Sequence, residues 1–176
     1  MLYHKYKPLA ARVYCTGLAL LLVLSEVFSS NVQDTLPGFS RIMRLGLTGC
    51  AVLLLAGKII LLTGYEARWQ KVLIAVVLVY TAFSSWYGGD LWFFLAALIG
   101  LGAKDVDWET ALRVYLVTAV AGLALVQLLH FATPLMPYKF YCRNWDFGYG
   151  HYNGFGARLV GVFFCLLYTS PSPRDP

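Results

Sequence analysis

The sequence predicts an all-α protein that crosses a lipid bilayer several times, and three observations carry that prediction. Of its 176 residues, 59% are apolar and 13% charged, against about 45–50% and about 25% in ordinary globular chains. The apolar residues gather at 11–29, 45–64, 71–88, 91–103, 111–132 and 155–164, in runs that approach or reach the roughly 20 residues a helix needs to span hydrocarbon. The 12 Tyr, 11 Phe and 5 Trp suit an interface where amphipathic rings meet lipid headgroups. A soluble globule, a disordered chain, collagen and a disulfide scaffold are excluded. The expected fold is a polytopic helical integral membrane protein with about five complete transmembrane helices and a truncated sixth, in one membrane domain over residues 1–164.

The first run follows Lys5, Lys7 and Arg12. It reads as an uncleaved helix, because further spans follow and no small-x-small exit is present. Asn31 to Ser40 reads as a polar turn, and Glu66 to Lys71 as the loop before the third run. Gly88-Gly89-Asp90 predicts a tight hairpin between the third run and the short fourth. Lys104 to Arg113 leads into the fifth run, which Pro134 and Pro137 end because proline lacks the amide and disfavours helix in the residue before it. Lys and Arg resist translocation, and they concentrate before the first run and in the loops 66–71 and 104–113. That places the N-terminus in the cytoplasm and the loop at about 133–154 outside. Cys165 to Asp175 can be encoded by the in-frame reading of a sequencing-library adapter, so residues 165–176 are read as a non-native tail and a longer natural protein is expected. Removing Arg174 and Asp175 takes one charge of each sign and leaves the net charge at +5.

Cys15, Cys50 and Cys142 stand at no metal-ligand spacing, and the first two read as small buried hydrophobes. Glu26, near the outer end of the first span, is expected to be solvated or bonded to Ser29 or Ser30. Gln127 and His130, three residues apart, share a helix face and line an outer cavity or bond between helices.

The outer loop is aromatic and charged together: Tyr138, Phe140, Tyr141, Trp145, Phe147, Tyr149, Tyr152 and Phe155 alternate with Lys139, Arg143, Asp146, His151 and Arg158. This suits sugar faces and phosphates, and it equally suits an aromatic belt at headgroup level. Gly148, Gly150, Gly154 and Gly156 let backbone approach a ligand but follow no nucleotide fingerprint. His151 and Asn153 stand at the mouth of the last helix, whose N-terminal amides favour an anion. Arg143 and Arg158 can join them, since the guanidinium fork suits phosphate. In the plainer reading Asn153 caps that helix and Arg158 snorkels.

Arg143-Asn144 with Phe147-Gly148-Tyr149-Gly150-His151-Tyr152-Asn153 resembles the Arg-(x)n-Gly-Phe-x-His-Pro-Asn stretch of Wzy-like polysaccharide polymerases, bacterial capsule, exopolysaccharide and O-antigen enzymes. Gly102-Ala103-Lys104-Asp105-Val106-Asp107-Trp108 is similar to their Gly-Ala-Lys-x-Ile-Asp-Phe entry to a helix. The resemblance covers roughly residues 45–164, and Tyr152 stands where the family has proline. It implies a glycosyltransferase of the broad GT-C type in the bacterial cytoplasmic membrane, acting outside on undecaprenyl-pyrophosphate-linked oligosaccharide. Membrane lipid, a chain-length regulator and a flippase would be its partners, with no nucleic acid, cofactor or metal. His151 and Arg143 would be catalytic, as acceptor-side base and pyrophosphate contact, and Asn153, Arg158, Lys139 and Asp146 would bind substrate. The resemblance also implies further helices and a second outer loop beyond residue 164. The alternatives are a lipid-linked oligosaccharide ligase, a transporter or flippase, and a non-catalytic membrane protein.

Overall fold

The computed structural model describes residues 2–28, 30–65, 67–133, 140–141, 144–145, 147, 149 and 152–169, and within these the side chains of 2–5, 27–28, 32–33, 140–141, 144–145, 152–153 and 167–169 are left aside. The described chain is helical apart from one short pairing. The helices are α1 (Leu2–Phe28), the single turn α2 (Val32–Thr35), α3 (Pro37–Gly57) continued by a π turn (Lys58–Leu62), α4 (Arg68–Gly88), α5 (Trp92–Gly102), α6 (Trp108–Ala132) and α7 (Tyr152–Thr169). Strands β1 (Phe140–Tyr141) and β2 (Asn144–Trp145) pair antiparallel, with Phe140 opposite Trp145.

Four helices among the described residues are long and apolar enough to cross a membrane: Tyr6–Glu26, Pro37–Leu62, Arg68–Gly88 and Trp108–Ala132. Helix α5, which the sequence counts as the short fourth crossing, is not among them because it has 11 residues. At 1.5 Å per residue it reaches about 16 Å, near half the hydrocarbon thickness. By contrast the 21 residues of α4 reach about 31 Å. Only 6% of the α4 span is buried, against 33% for α1, so α4 presents most of its circumference outward. Its exposed residues are Val72, Val76, Val79 and Phe83, with Trp69 near one end and Trp86 and Tyr87 at the other. Apolar exposure on that scale is tolerable only in a lipid solvent. The second span also begins earlier than the apolar run, because Pro37 is pre-set for a first helical turn and carries the helix through Arg41 and Arg44.

The chain divides into two compact units, of which the first holds residues 1–18 and 49–111. Its core is Ala10, Tyr14, Ala51, Leu55, Ile59, Leu95 and Leu98. A Cβ on Gly17 would lie 2.9 Å from Leu55 Cγ, and one on Gly102 would lie 3.2 Å from the Tyr14 ring. Small residues therefore let helix backbones approach, which is how helices pack where lipid removes the hydrophobic drive. The predicted α4–α5 hairpin is present. Gly89, at φ +68°, ends α4 in the left-handed region, and its amide and that of Asp90 both donate to Ser85 O. Asp90 Oδ1 then accepts the Trp92 amide at 3.0 Å, and the buried Ser85 Oγ accepts that of Phe94 at 3.1 Å.

The π turn carries Lys58, which is fully buried. Its ammonium donates to the carbonyl of Lys104, while Lys104 Nζ donates to Gly64 O at 2.7 Å and stands 4.6 Å from the Tyr65 ring centroid. Thr63 Oγ1 closes the turn by donating to Lys58 O at 3.0 Å. The second unit holds residues 19–48 and 112–176, with Leu123, Val126 and Tyr149 buried against Leu129, Phe155 and Val162. Of the cysteines read as buried, Cys15 is half-buried but Cys50 is exposed. A thiol on the outer face of a span is as well solvated by hydrocarbon as one in the core. Cys142 lies outside the described residues.

Two adjacent glycines give a test of the hairpin. Gly89→Ala places a Cβ at positive φ and is expected to cost about 1 kcal/mol. Gly88→Ala, inside the helix with open space around it, is expected to stabilise by up to about 1 kcal/mol. Unfolding by sodium dodecyl sulfate in mixed micelles reads both, and equal effects at the two positions would contradict the left-handed cap.

Candidate active site

The second unit carries a buried charge near the end of its first helix. Glu26 is 6% exposed, which corrects the expectation of a solvated or serine-bonded carboxylate. An ionised carboxylate among apolar side chains costs several kcal/mol unless paired, and neighbouring hydroxyls supply no charge. Glu26 takes its partners from far along the chain. Arg158 Nε donates to its Oε2 at 2.8 Å and the Tyr149 hydroxyl donates to the same oxygen at 3.0 Å.

Arg158 is held further by Nη1 donating to Gly154 O at 3.1 Å and Nη2 donating to Ser25 O at 3.2 Å. Its guanidinium carbon lies 4.7 Å from the Tyr149 ring centroid, a cation–π distance. The approach of α1 to α6 depends on Gly122, where a Cβ would fall 2.7 Å from Glu26 Cγ. The loop is fastened at two described points. Phe147, at φ +48°, accepts Gln127 Nε2 on its carbonyl at 2.9 Å and stacks on Phe155 at 5.0 Å between centroids. Two residues on, Tyr149 is buried and also packs near Phe155, with centroids 6.2 Å apart. These contacts fix the entry to α7, whose first residues include Asn153.

The site residues read from the sequence fall unevenly on this geometry. Lys139, Arg143, Asp146 and His151 lie outside the described residues. Asn153 stands in the first turn of α7, its side chain likewise outside. Arg158 is described, and three of its N–H groups are taken up by Glu26, Gly154 and Ser25, so it orders the mouth of α7 with only part of its donor set left over. Of the helical pair, Gln127 bonds between elements and His130 is buried beside Phe131, with ring centroids 5.0 Å apart.

Sequence reasoning overlooked the structural weight of Tyr149 and Gly122, and it gave Arg41 and Arg44 no functional role. Those arginines line a cavity of about 470 Å³ in the second unit, with Asp34, Pro37, Ser40 and Leu45. Their three-residue spacing sets them on neighbouring positions of α3, a pattern visible in the sequence. Such a cavity can hold a phosphate through paired guanidinium donors. Among the described residues no three His, Cys, Asp or Glu side chains gather to hold a metal ion.

The Tyr149 phenol is pushed well above its ordinary 10.0, first by burial, then by the Glu26 charge and the hydrogen bond to it, against a lowering by Arg158. A raised folded-state value means that the stabilisation is fully present below pH 10 and fades as pH rises through the folded value. Stability should therefore decline above pH 10 in the wild type and lose that component in Tyr149→Phe, as followed by tyrosinate absorbance and unfolding midpoint. Arg158→Met strands the Glu26 carboxylate and should cost roughly 3–5 kcal/mol. Adding Glu26→Gln should recover part of that loss in a double-mutant cycle, whereas strict additivity would mean that the two groups do not couple. No protein family, curated protein or solved structure matches this chain.

Proposed function

We propose that this chain is a membrane glycosyltransferase of the Wzy-like kind, which joins undecaprenyl-pyrophosphate-linked oligosaccharide repeats into a cell-surface polysaccharide. It acts on the outer face of the bacterial cytoplasmic membrane, with its N-terminus inside and a GT-C-like arrangement of spans. The observation that carries the reading is the cavity lined by Arg41 and Arg44 in the same unit as the loop that resembles the family. A pyrophosphate leaving group needs fixed positive charge, and a sugar needs aromatic and hydrogen-bonding surface; this unit offers both.

In the proposed reaction the bond between the donor sugar's anomeric carbon and the pyrophosphate oxygen breaks, and the same carbon bonds to an acceptor hydroxyl. The electron pair leaves with the pyrophosphate, where Arg143, assisted by Arg41 and Arg44, offsets the developing charge. His151 removes the hydroxyl proton as general base and Asn153 orients it, while Lys139 and Asp146 contact the glycan. Arg158 acts at one remove, as a positioning residue that holds the start of α7. A flippase would deliver the lipid-linked repeat and a chain-length regulator would set the extent of polymerisation.

The test is chemical analysis of surface polysaccharide from cells whose own gene copy carries His151→Ala or Arg143→Ala. Loss of a general base lowers rate by about 10²–10⁴-fold, and loss of a donor to developing charge by about 10²–10³-fold. Either variant should collapse long chains to single repeats. Unchanged chain length in both, with the protein present in the membrane, would sink the polymerase reading.

A further inference from the structure

The first unit has a cavity of about 550 Å³ beside the π turn, walled by Ile59, Ile60, Ile74 and Leu78 and edged by Tyr65 and Lys71. Its volume is in the range of ligand sites, about 300–1,000 Å³. Three features at its polar edge ask for an anion. Helix α4 starts without a side-chain cap at Ala67 and without an acidic residue in its first turn, so its free amides and the positive end of its dipole are uncompensated. Arg68 and Lys71 then stand in that first turn, where the dipole disfavours cations and favours a bound anion. The Tyr65 hydroxyl is shut off from solvent, with the Thr63 side chain beside it. Lys104 adds a third cation, above the Tyr65 ring. Against Arg68, Lys71 and Lys104 stand Glu66 in the sequence and Asp105, whose charge reaches Tyr65, so three basic groups face two acidic and the balance stays positive.

A free phosphate would satisfy the edge but leave the isoleucine walls empty, and a plain hydrocarbon would fill the walls but leave Lys71 and the α4 amides as they are. Trp69, 64% exposed, marks this end of α4 as headgroup depth, where such rings settle. We propose that this cavity holds one anionic glycerophospholipid, its phosphate on Lys71 and the first turn of α4 and an acyl chain along Ile60, Ile74 and Leu78. The site is separate from the proposed transfer reaction and does not rest on it. The excess of basic groups selects an anionic over a zwitterionic headgroup, since each Lys or Arg near a lipid phosphate contributes attraction worth about a fivefold change in binding.

The experiment is a lipid titration of the delipidated full chain, read by native mass spectrometry, with phosphatidylglycerol and phosphatidylcholine as separate ligands. The wild type should retain one phosphatidylglycerol at least about fivefold more tightly than phosphatidylcholine, and Lys71→Gln should weaken that retention by about fivefold. Ile74→Trp, which fills the apolar part without touching a charge, should also displace the lipid, and it stands as a second variant if Lys71→Gln does not fold by circular dichroism. Equal retention of the two lipids, or wild-type retention in both variants, overturns the proposal. Displacement of the lipid by inorganic phosphate at matched concentration also overturns it, since the site would then bind the anion alone.

Discussion

The second unit depends on how a single carboxylate is neutralised. Glu26 sits on a helix whose nearest buried positions, Leu18, Leu21 and Leu24, are apolar, and an unpaired charge there would be worth several kcal/mol of destabilisation. The pair with Arg158 removes that cost only if α7 begins within reach of the end of α1. One electrostatic requirement thus fixes the position of a helix 132 residues away. Tyr149 occupies the same oxygen and, being buried, carries the loop down with it. Gly122 is the permissive element, since any side chain there would displace the carboxylate.

The first unit buries a charge by another route. Lys58 has no described carboxylate bonded to its ammonium and instead donates to the Lys104 carbonyl, a backbone acceptor available where the chain leaves α5. The π turn places it there, because one extra residue per turn re-aims the side chains that follow. Lys104 returns the favour of geometry through Gly64 and the Tyr65 ring. The two lysines therefore tie the loop after α3 to the loop after α5 through hydrogen bonds to backbone carbonyls. A backbone carbonyl is a fixed acceptor with a weaker field than a carboxylate, and the charge of Asp105, which reaches both Lys58 and Tyr65, acts on this junction from close by.

Much of the fold was legible because hydrophobic runs report directly on helices when the solvent is lipid. Each apolar run corresponds to a helix, and the Gly88-Gly89-Asp90 turn was read from its residues, because positive φ has a chemical signature in glycine. The beginning of α3 was missed since Arg41 and Arg44 look like loop residues, although interfacial turns tolerate charged side chains. The shortness of α5 was visible as a short run, but a count of residues alone does not say whether such a segment spans or only dips. The partner of Glu26 was not legible, because pairing between α1 and α7 leaves no local period. What the sequence does offer is a complementarity: a carboxylate and a guanidinium, each within an apolar run, each costly alone.

That complementarity changes the weight of the candidate residues. An arginine at the mouth of a helix reads first as a phosphate ligand, because its fork and the helix amides act in the same direction. Once Glu26 holds Nε and two carbonyls hold Nη1 and Nη2, most of the field of Arg158 is spent on a neighbouring anion, and a diphosphate would have to compete with a buried carboxylate. In the proposed reaction the charge on the leaving group therefore falls to other arginines, namely Arg41 and Arg44, which share their cavity with Asp34, and Arg143. Arg158 keeps a different importance: without it α7 has no electrostatic reason to begin where it does, and Tyr149 loses the cation above its ring.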